Sequence, residues 1–425
     1  MKFYRLTQLI GLLIFQFLLP AIALAVSGKV IDSQNGKPIA GAIVYFDKQL
    51  AKTDDQGYFH MSGSGQQLLI RAPGYVRVTF RIEDLTNINQ VIPLKPFHPK
   101  AVYLSIYGIG DKGLRDSALK LIEQTELNAL VIDVKGDRGL IPYKSDIPLA
   151  EDVGAQRVRT LKDIRSLVDE LHQKGIYLIA RIVVFKDDPL ATARPELSVK
   201  NRAGGLWRDR ENLAWVDPFR QEVWDYNIDI AAEAAANGFD EIQFDYLRFP
   251  DSEGPVFSKV SNEQNRVGAI AGFLEKAKER LAPFNVFISA DIFGYVCWNL
   301  NDTDIGQTLD AIAEHIDYLS PMLYPSGFHF GIPGFADPVA HPYEIIYLSL
   351  KRAHDRSAIP TVRFRPWLQG FRDYAFDKRS FTGAEIRSQI SGAENFGSDG
   401  WMLWNPRNDY SSEGLKLRMK EGQGD

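Results

Sequence analysis

Cysteine is almost missing from this chain: Cys297 is the only one in 425 residues. No internal disulfide can form, so whatever compartment the protein occupies, its core must hold it together. Histidine is also sparse. The seven histidines show no paired ligand spacing, which removes the usual zinc patterns and leaves no metal expected. Excess positive charge is lacking too. The net charge is −5, so no basic field exists to hold nucleic acid. Beyond the first 25 residues no apolar run is long enough to span a bilayer.

The N-terminus is patterned as a targeting segment. Lys2 and Arg5 precede a mostly apolar stretch from Leu9 to Leu19, and Ala23-Leu-Ala25 is a small-x-small cleavage site. Residues 1–25 therefore read as a signal peptide. The mature protein is expected to be exported, periplasmic or extracellular, without a membrane span and monomeric.

Residues 26–95 carry short apolar segments separated by turn signals at Asn35-Gly-Lys-Pro38, Asp54-Asp-Gln-Gly57 and Pro73-Gly74. That rhythm predicts a small all-β sandwich. Gly28 to Val44, Thr53-Asp-Asp-Gln-Gly-Tyr-Phe59 and Ala72-Pro-Gly-Tyr75 resemble the carboxypeptidase regulatory-like domain, a transthyretin-like sandwich that usually serves as an accessory module. Residues 96–100, rich in proline, read as a linker.

From residue 101 to 425 the pattern changes to strands alternating with helices. Eight strands are expected at 101–107, 129–134, 176–185, 241–249, 286–293, 318–324, 361–368 and 400–404, with a last helix near 411–420. This is the pattern of a (β/α)8 TIM barrel, with its longest insertion at 186–218 after the third strand. A doubly wound open sheet is the alternative. It wants a glycine-rich phosphate turn after its first strand, and Gly108-Ile-Gly-Asp-Lys-Gly113 imitates one poorly.

Alternation along each strand sorts side chains into inward and outward sets. The inward set is charged: Asp133 on strand two with Lys135 just past it, Arg181 on three, Gln243 and Asp245 on four, Asp291 on five, Arg363, Arg365 and Trp367 on seven. Tyr107, Tyr324 and Trp404 fall at strand ends, Trp215 in the long insertion, and Arg248 just beyond Asp245. Buried charges cost several kcal/mol each unless paired, so this set is either a site or an ion-pair network. Carboxylates at the ends of neighbouring strands can flank one bond, as glycosidase chemistry requires. The expected roles are Asp245 as nucleophile or stabilising base, Asp291 as acid and Asp133 in reserve. Tyr107, Lys135, Arg181, Trp215, Gln243, Arg248, Tyr324, Arg365, Trp367 and Trp404 are the expected substrate contacts, with flat aromatic rings suiting sugar faces. No cofactor is called for.

Five stretches carry a family resemblance: Val131-Ile-Asp-Val-Lys-Gly-Asp137, Ile179-Ala-Arg-Ile-Val-Val-Phe-Lys-Asp187, Gly205-Leu-Trp-Arg-Asp209, Ala214-Trp-Val-Asp-Pro218 and Gly238 to Pro250. Ser320-Pro-Met-Leu-Tyr-Pro325 and Gly400-Trp-Met-Leu-Trp-Asn405 continue it. Residues 101–415 thereby resemble a bacterial family of glycoside hydrolase type, long catalogued as a domain of unknown function. The resemblance implies a TIM-barrel glycosidase acting on a polysaccharide or oligosaccharide. A more distant likeness is to the chitinases, whose strand-four motif also opens Gly-Phe-Asp. Leu247 stands where their catalytic glutamate would be. That departure puts the chitinase mechanism in doubt and leaves a non-catalytic carbohydrate-binding barrel as the alternative function.

Overall fold

The structure is a computed structural model, and it describes residues 24–84 and 89–418. The predicted signal segment lies outside the described residues except for Leu24 and Ala25, which open the first strand.

Seven strands build the N-terminal sandwich: β1 Leu24–Asp32, β2 Ile43–Phe46, β3 Gln49–Lys52, β4 Tyr58–Gly63, β5 Gln67–Arg71, β6 Val78–Arg81 and β7 Asn89–Leu94. They form a three-stranded sheet, β4-β1-β7, and a four-stranded sheet, β3-β2-β5-β6. Alternate residues of the two sheets (Val26, Val30, Val44, Phe46, Phe59, Met61) interleave into one core, as strand periodicity requires. The sequence predicts five of these strands. β3 is short and mostly exposed, and β7 carries Pro93 on an edge, so neither shows a strong apolar alternation.

Eight parallel strands close the barrel: β8 Lys100–Leu104, β9 Ala129–Lys135, β10 Tyr177–Val183, β11 Glu241–Asp245, β12 Phe287–Phe293, β13 Tyr318–Met322, β14 Trp367–Gln369 and β15 Trp401–Trp404. β15 pairs back onto β8, so the open-sheet alternative is set aside. Outward residues such as Val102, Ile132, Leu178, Ile242, Ile288 and Leu319 pack under the surrounding helices. Two elements differ from expectation. The seventh strand was expected from 361, but 361–363 is a 3-10 turn, and Pro366 cannot donate to a ladder. The expected helix at 411–420 is absent among the described residues. The chain there turns and makes an antiparallel bridge between Leu417 and Thr125.

The sandwich seats on the end of the barrel where the strands begin. Arg71 pairs with Asp317 at 3.3 Å, just before β13. Arg77 pairs with Asp240 at 3.0 Å, just before β11. The Gly74 N–H donates to the Tyr318 hydroxyl at 2.9 Å, and the Asn285 amide, just before β12, donates to the Val78 carbonyl at 2.9 Å. Inside that end, Arg365 pairs with Glu241 at 2.5 Å and Asp399 at 3.1 Å, all fully buried. Above this ionic layer lies an apolar one of Ala101, Val131, Ile179 and Met402. The opposite end, where the strands finish, is open.

Candidate active site

β11 delivers Asp245 to the open end. The next residue, Tyr246, takes a left-handed backbone conformation at φ 47°. A non-glycine residue held there costs about 1–3 kcal/mol. The turn folds the Tyr246 N–H back onto Asp245 Oδ1 at 2.5 Å. It also ends the strand four residues before the sequence predicts.

Arg181 on β10 is the hub. Its Nε and Nη2 donate to Asp245 Oδ2 at 2.9 and 2.6 Å, Nη1 to Asp133 Oδ1 at 2.6 Å, and Nη2 also to Asp137 Oδ1 at 2.8 Å. Burial alone would lower its pKa. The charges of Asp133, Asp245 and Asp137 outweigh that, and the guanidinium is held well above its usual value. Asp133 is buried and its carboxyl is pushed up to about 6, chiefly by desolvation, with Arg181 opposing. The Tyr103 hydroxyl donates to it at 2.7 Å.

Asp291 on β12 lies against Asp245. The Trp367 indole N–H donates to Asp291 Oδ1 at 2.8 Å. Asp291 Oδ2 is buried and faces no N–H donor; its neighbour is the Asp245 carboxyl. Two carboxylates cannot bond to one another, but a protonated one can donate to the other. Burial first, and then the Asp245 charge, raises the Asp291 pKa well above the carboxylate range. Both effects favour the protonated form of Asp291 beside the Asp245 carboxylate.

Above this pair is a cleft of about 420 Å³. Asp137, Arg181, Asp245, Tyr246 and Arg248 line it together with the aromatic residues Tyr324, Trp367, Trp404 and Tyr374. Trp404 stacks on Tyr103 at 3.9 Å, and the Arg181 guanidinium lies 4.9 Å from the Trp404 ring. Asp245 and Asp137 open onto this space, whereas Asp291 and Asp133 do not.

Of the expected substrate contacts, Arg181, Arg248, Tyr324, Trp367 and Trp404 line the cleft. Five do not. Tyr107 is outside the barrel mouth, because β8 stops at Leu104 and Tyr107 falls in the short helix Ile106–Gly110, half exposed. Lys135 points away from the lumen. The register shifts between Arg181–Asp133 and Ile182–Lys135, so one extra residue in β9 reverses the alternation. Lys135 instead pairs with Asp187 at 2.6 Å and Asn227 at 2.7 Å beneath the helix Gln221–Ala236. Gln243 is buried below the cleft against Ser320. Trp215 stands behind the wall, 5.7 Å from the Tyr246 ring and 5.2 Å from the Arg248 guanidinium. Arg365 is at the barrel's base, as described, and Arg363 binds the carbonyls of Asp317, Ala313 and Ile316.

Asp137 and Tyr246 were missed as site residues. Asp137 lies three residues beyond the predicted end of strand two, inside the quoted Val131–Asp137 stretch, so its position past a strand end was the available signal. Among the described residues no group of three or more His, Cys, Asp or Glu is placed to hold a metal, and no helix is long and apolar enough to cross a membrane.

A closed eight-stranded barrel with carboxylates and aromatic rings at its C-terminal mouth is of the glycoside hydrolase type. Residues 101–410 match the family described as "Putative glycosyl hydrolase domain", and the chain belongs to that family. It is 39% identical to a hypothetical protein from Ruminiclostridium thermocellum ATCC 27405, over 45% of this chain and 96% of that one, with a TM-score of 0.40. The glycoside hydrolase domain of PgaB (BpsB) from Bordetella bronchiseptica shares the fold at 13% identity, over 74% of this chain and 95% of that one, with a TM-score of 0.50. A class V chitinase from Pseudomonas fluorescens Pf-5 aligns at 12% identity, over 74% and 96%, with a TM-score of 0.45. No curated protein matches.

Proposed function

We propose that the cleft hydrolyses O-glycosidic bonds of a polysaccharide by a two-carboxylate mechanism in which Asp245 and Asp137 are the catalytic residues. One observation carries this reading. Both carboxylates accept from the same Arg181 Nη2, at 2.6 and 2.8 Å. Their bonded oxygens must therefore lie closer together than those two bonds laid end to end, which falls short of the roughly 6.5–9.5 Å inverting range and leaves the retaining geometry of about 5–5.5 Å as the nearer one.

The acid is then the Asp245–Asp291 pair. Asp291 passes its proton to Asp245, whose Oδ2 is held by Arg181, so Oδ1 presents it to the glycosidic oxygen as the C–O bond breaks. Asp137 attacks the anomeric carbon, and the guanidinium of Arg181 orients it. Water next cleaves the glycosyl–Asp137 ester while Asp245 takes a proton from that water. Asp291 and Asp133 act through their neighbours as positioning residues, which recasts the acid role expected for Asp291. Trp404 and Tyr324 offer flat faces to pyranose rings, while Trp367, 1% exposed, braces Asp291. The segment 1–25 would export the protein as a monomer to the envelope or medium, where such polymers occur.

A binding-only barrel is the second reading. It is favoured by Leu247, which is fully buried where a chitinase would carry its acid. Mass spectrometry of products from cell-envelope and matrix polysaccharides separates the two. Glycan binding without any product from the native chain, or unchanged turnover by Asp245→Asn, would overturn the hydrolytic reading. Proton NMR of the first product should show the substrate's own anomeric configuration; the opposite anomer would remove Asp137 as nucleophile.

A further inference from the structure

A second cavity, of about 330 Å³, lies where the sandwich meets the base of the barrel. It is remote from the catalytic mouth, and the proposed reaction makes no use of it. Its walls come from both modules: Ile39, Ile43, Lys52 and Arg71 from the sandwich, and Lys278, 313–317 and Arg363 from the barrel.

The charges in it are unbalanced. Lys52, Arg71, Lys278 and Arg363 contribute four cations, against the two anions Asp317 and Glu314. Asp317 is already committed. Its Oδ2 takes Arg71 Nε at 3.3 Å and the Ile288 N–H at 2.9 Å. Lys278 Nζ finds only the Glu314 backbone carbonyl, at 3.1 Å. Arg363 spends Nε and Nη2 on carbonyls. Arg71 is 2% exposed, and its Nη1 has no partner. A buried charged N–H left unpaired is costly, and the cost is relieved when an acceptor arrives. Burial lowers the pKa of Lys278, and the nearby Lys52 and Arg71 charges lower it further, with Asp317 and Glu314 opposing only in part.

Built pockets with converging guanidinium and ammonium groups are how proteins take phosphate. We propose that this junction is a binding site for a small phosphate-bearing anion, held by Arg71 and Lys52 from the sandwich and by Lys278 from the barrel. The bound anion would bridge the two modules and stiffen their seating. A volume of about 330 Å³ has room for a phosphate monoester of a small molecule as well as for the bare ion.

Calorimetry and thermal melting of the full chain test this, with inorganic phosphate, a hexose phosphate, and sodium chloride at matched ionic strength. Both phosphates, or the hexose phosphate alone, should bind and raise the Tm, while chloride should not. The second pattern would mark an organic phosphate as the ligand. Lys52→Ala and Lys278→Met leave the Arg71–Asp317 pair in place, and each should weaken the affinity at least about tenfold, a loss of about 1.4 kcal/mol. The melting temperature without phosphate reports whether each variant still folds. If neither phosphate binds, or if both variants bind as the native chain does, the site does not exist.

Discussion

The two ends of the barrel are built from the same materials and do opposite things. At the base, Glu241, Arg365 and Asp399 are fully buried and pair among themselves beneath the sandwich. At the mouth, Arg181 binds three carboxylates at similar distances, but two of them, Asp137 and Asp245, border open space. The base is closed off: Glu241 also takes the Tyr177 hydroxyl and Asp399 also pairs with His98, and none of the three Arg365 network members lines the cleft. The mouth holds a buried carboxyl, Asp291, with one oxygen unpartnered, and a half-exposed carboxylate, Asp137. Buried charge alone therefore does not mark a site. What marks it is buried charge that is incompletely satisfied and reachable.

That contrast can be broken experimentally. The largest effect should come from Asp245→Asn, which should cut kcat by about 10³-fold or more, in line with losing a catalytic proton donor, while the melting temperature stays near that of the native chain. Asp137→Ala should lose a similar amount, and added azide should restore turnover and yield a glycosyl azide of inverted configuration. The base should answer in the other way. Glu241→Gln strands Arg365 beside Asp399 and should cost about 3–5 kcal/mol of stability, read by chemical denaturation, with kcat per folded molecule unchanged.

Smaller effects sharpen the comparison. Asp291→Asn preserves an acceptor for Trp367 and a donor for Asp245, so the fold should hold. Activity should fall about 10–100-fold, and the pH–rate profile should lose the limb that reports the shared proton. The smallest effect is on stability against pH. The Asp133 carboxyl has a folded value of about 6, above its unfolded value. It therefore favours the folded state most below the unfolded value, and that contribution is lost as pH rises from about 4 through about 6. Denaturation across that window should show a decline that Asp133→Asn lacks.

Much of the barrel was legible because its outward residues alternate in apolar runs, and Asp133, Arg181, Asp245 and Asp291 were found by the inward parity of those same runs. Parity says which way a side chain faces but not how high it sits. Arg365 does face inward, yet at the wrong end, because height depends on where Pro366 and the 361–363 turn allow β14 to start. Parity also fails wherever a strand gains a residue, which is how Lys135 ended beneath a helix. Asp137 stayed hidden because its place just past a strand end does not reveal that the loop returns it to the arginine of a neighbouring strand. Contact between Asp245 and Asp291 was beyond reach for a related reason. Strand spacing gives the distance between backbones, and only side-chain conformations decide whether two acids touch.

The Trp367 indole donates to Asp291 and, almost wholly buried, still borders the cleft. It should therefore work as a built-in optical gauge. Its emission should respond to the charge state of the acid it bonds and to the displacement of water from the cleft beside it. The difference spectrum between the native chain and Trp367→Phe would isolate that signal from the other tryptophans, giving a direct titration of the shared proton and a binding readout that needs no labelled ligand.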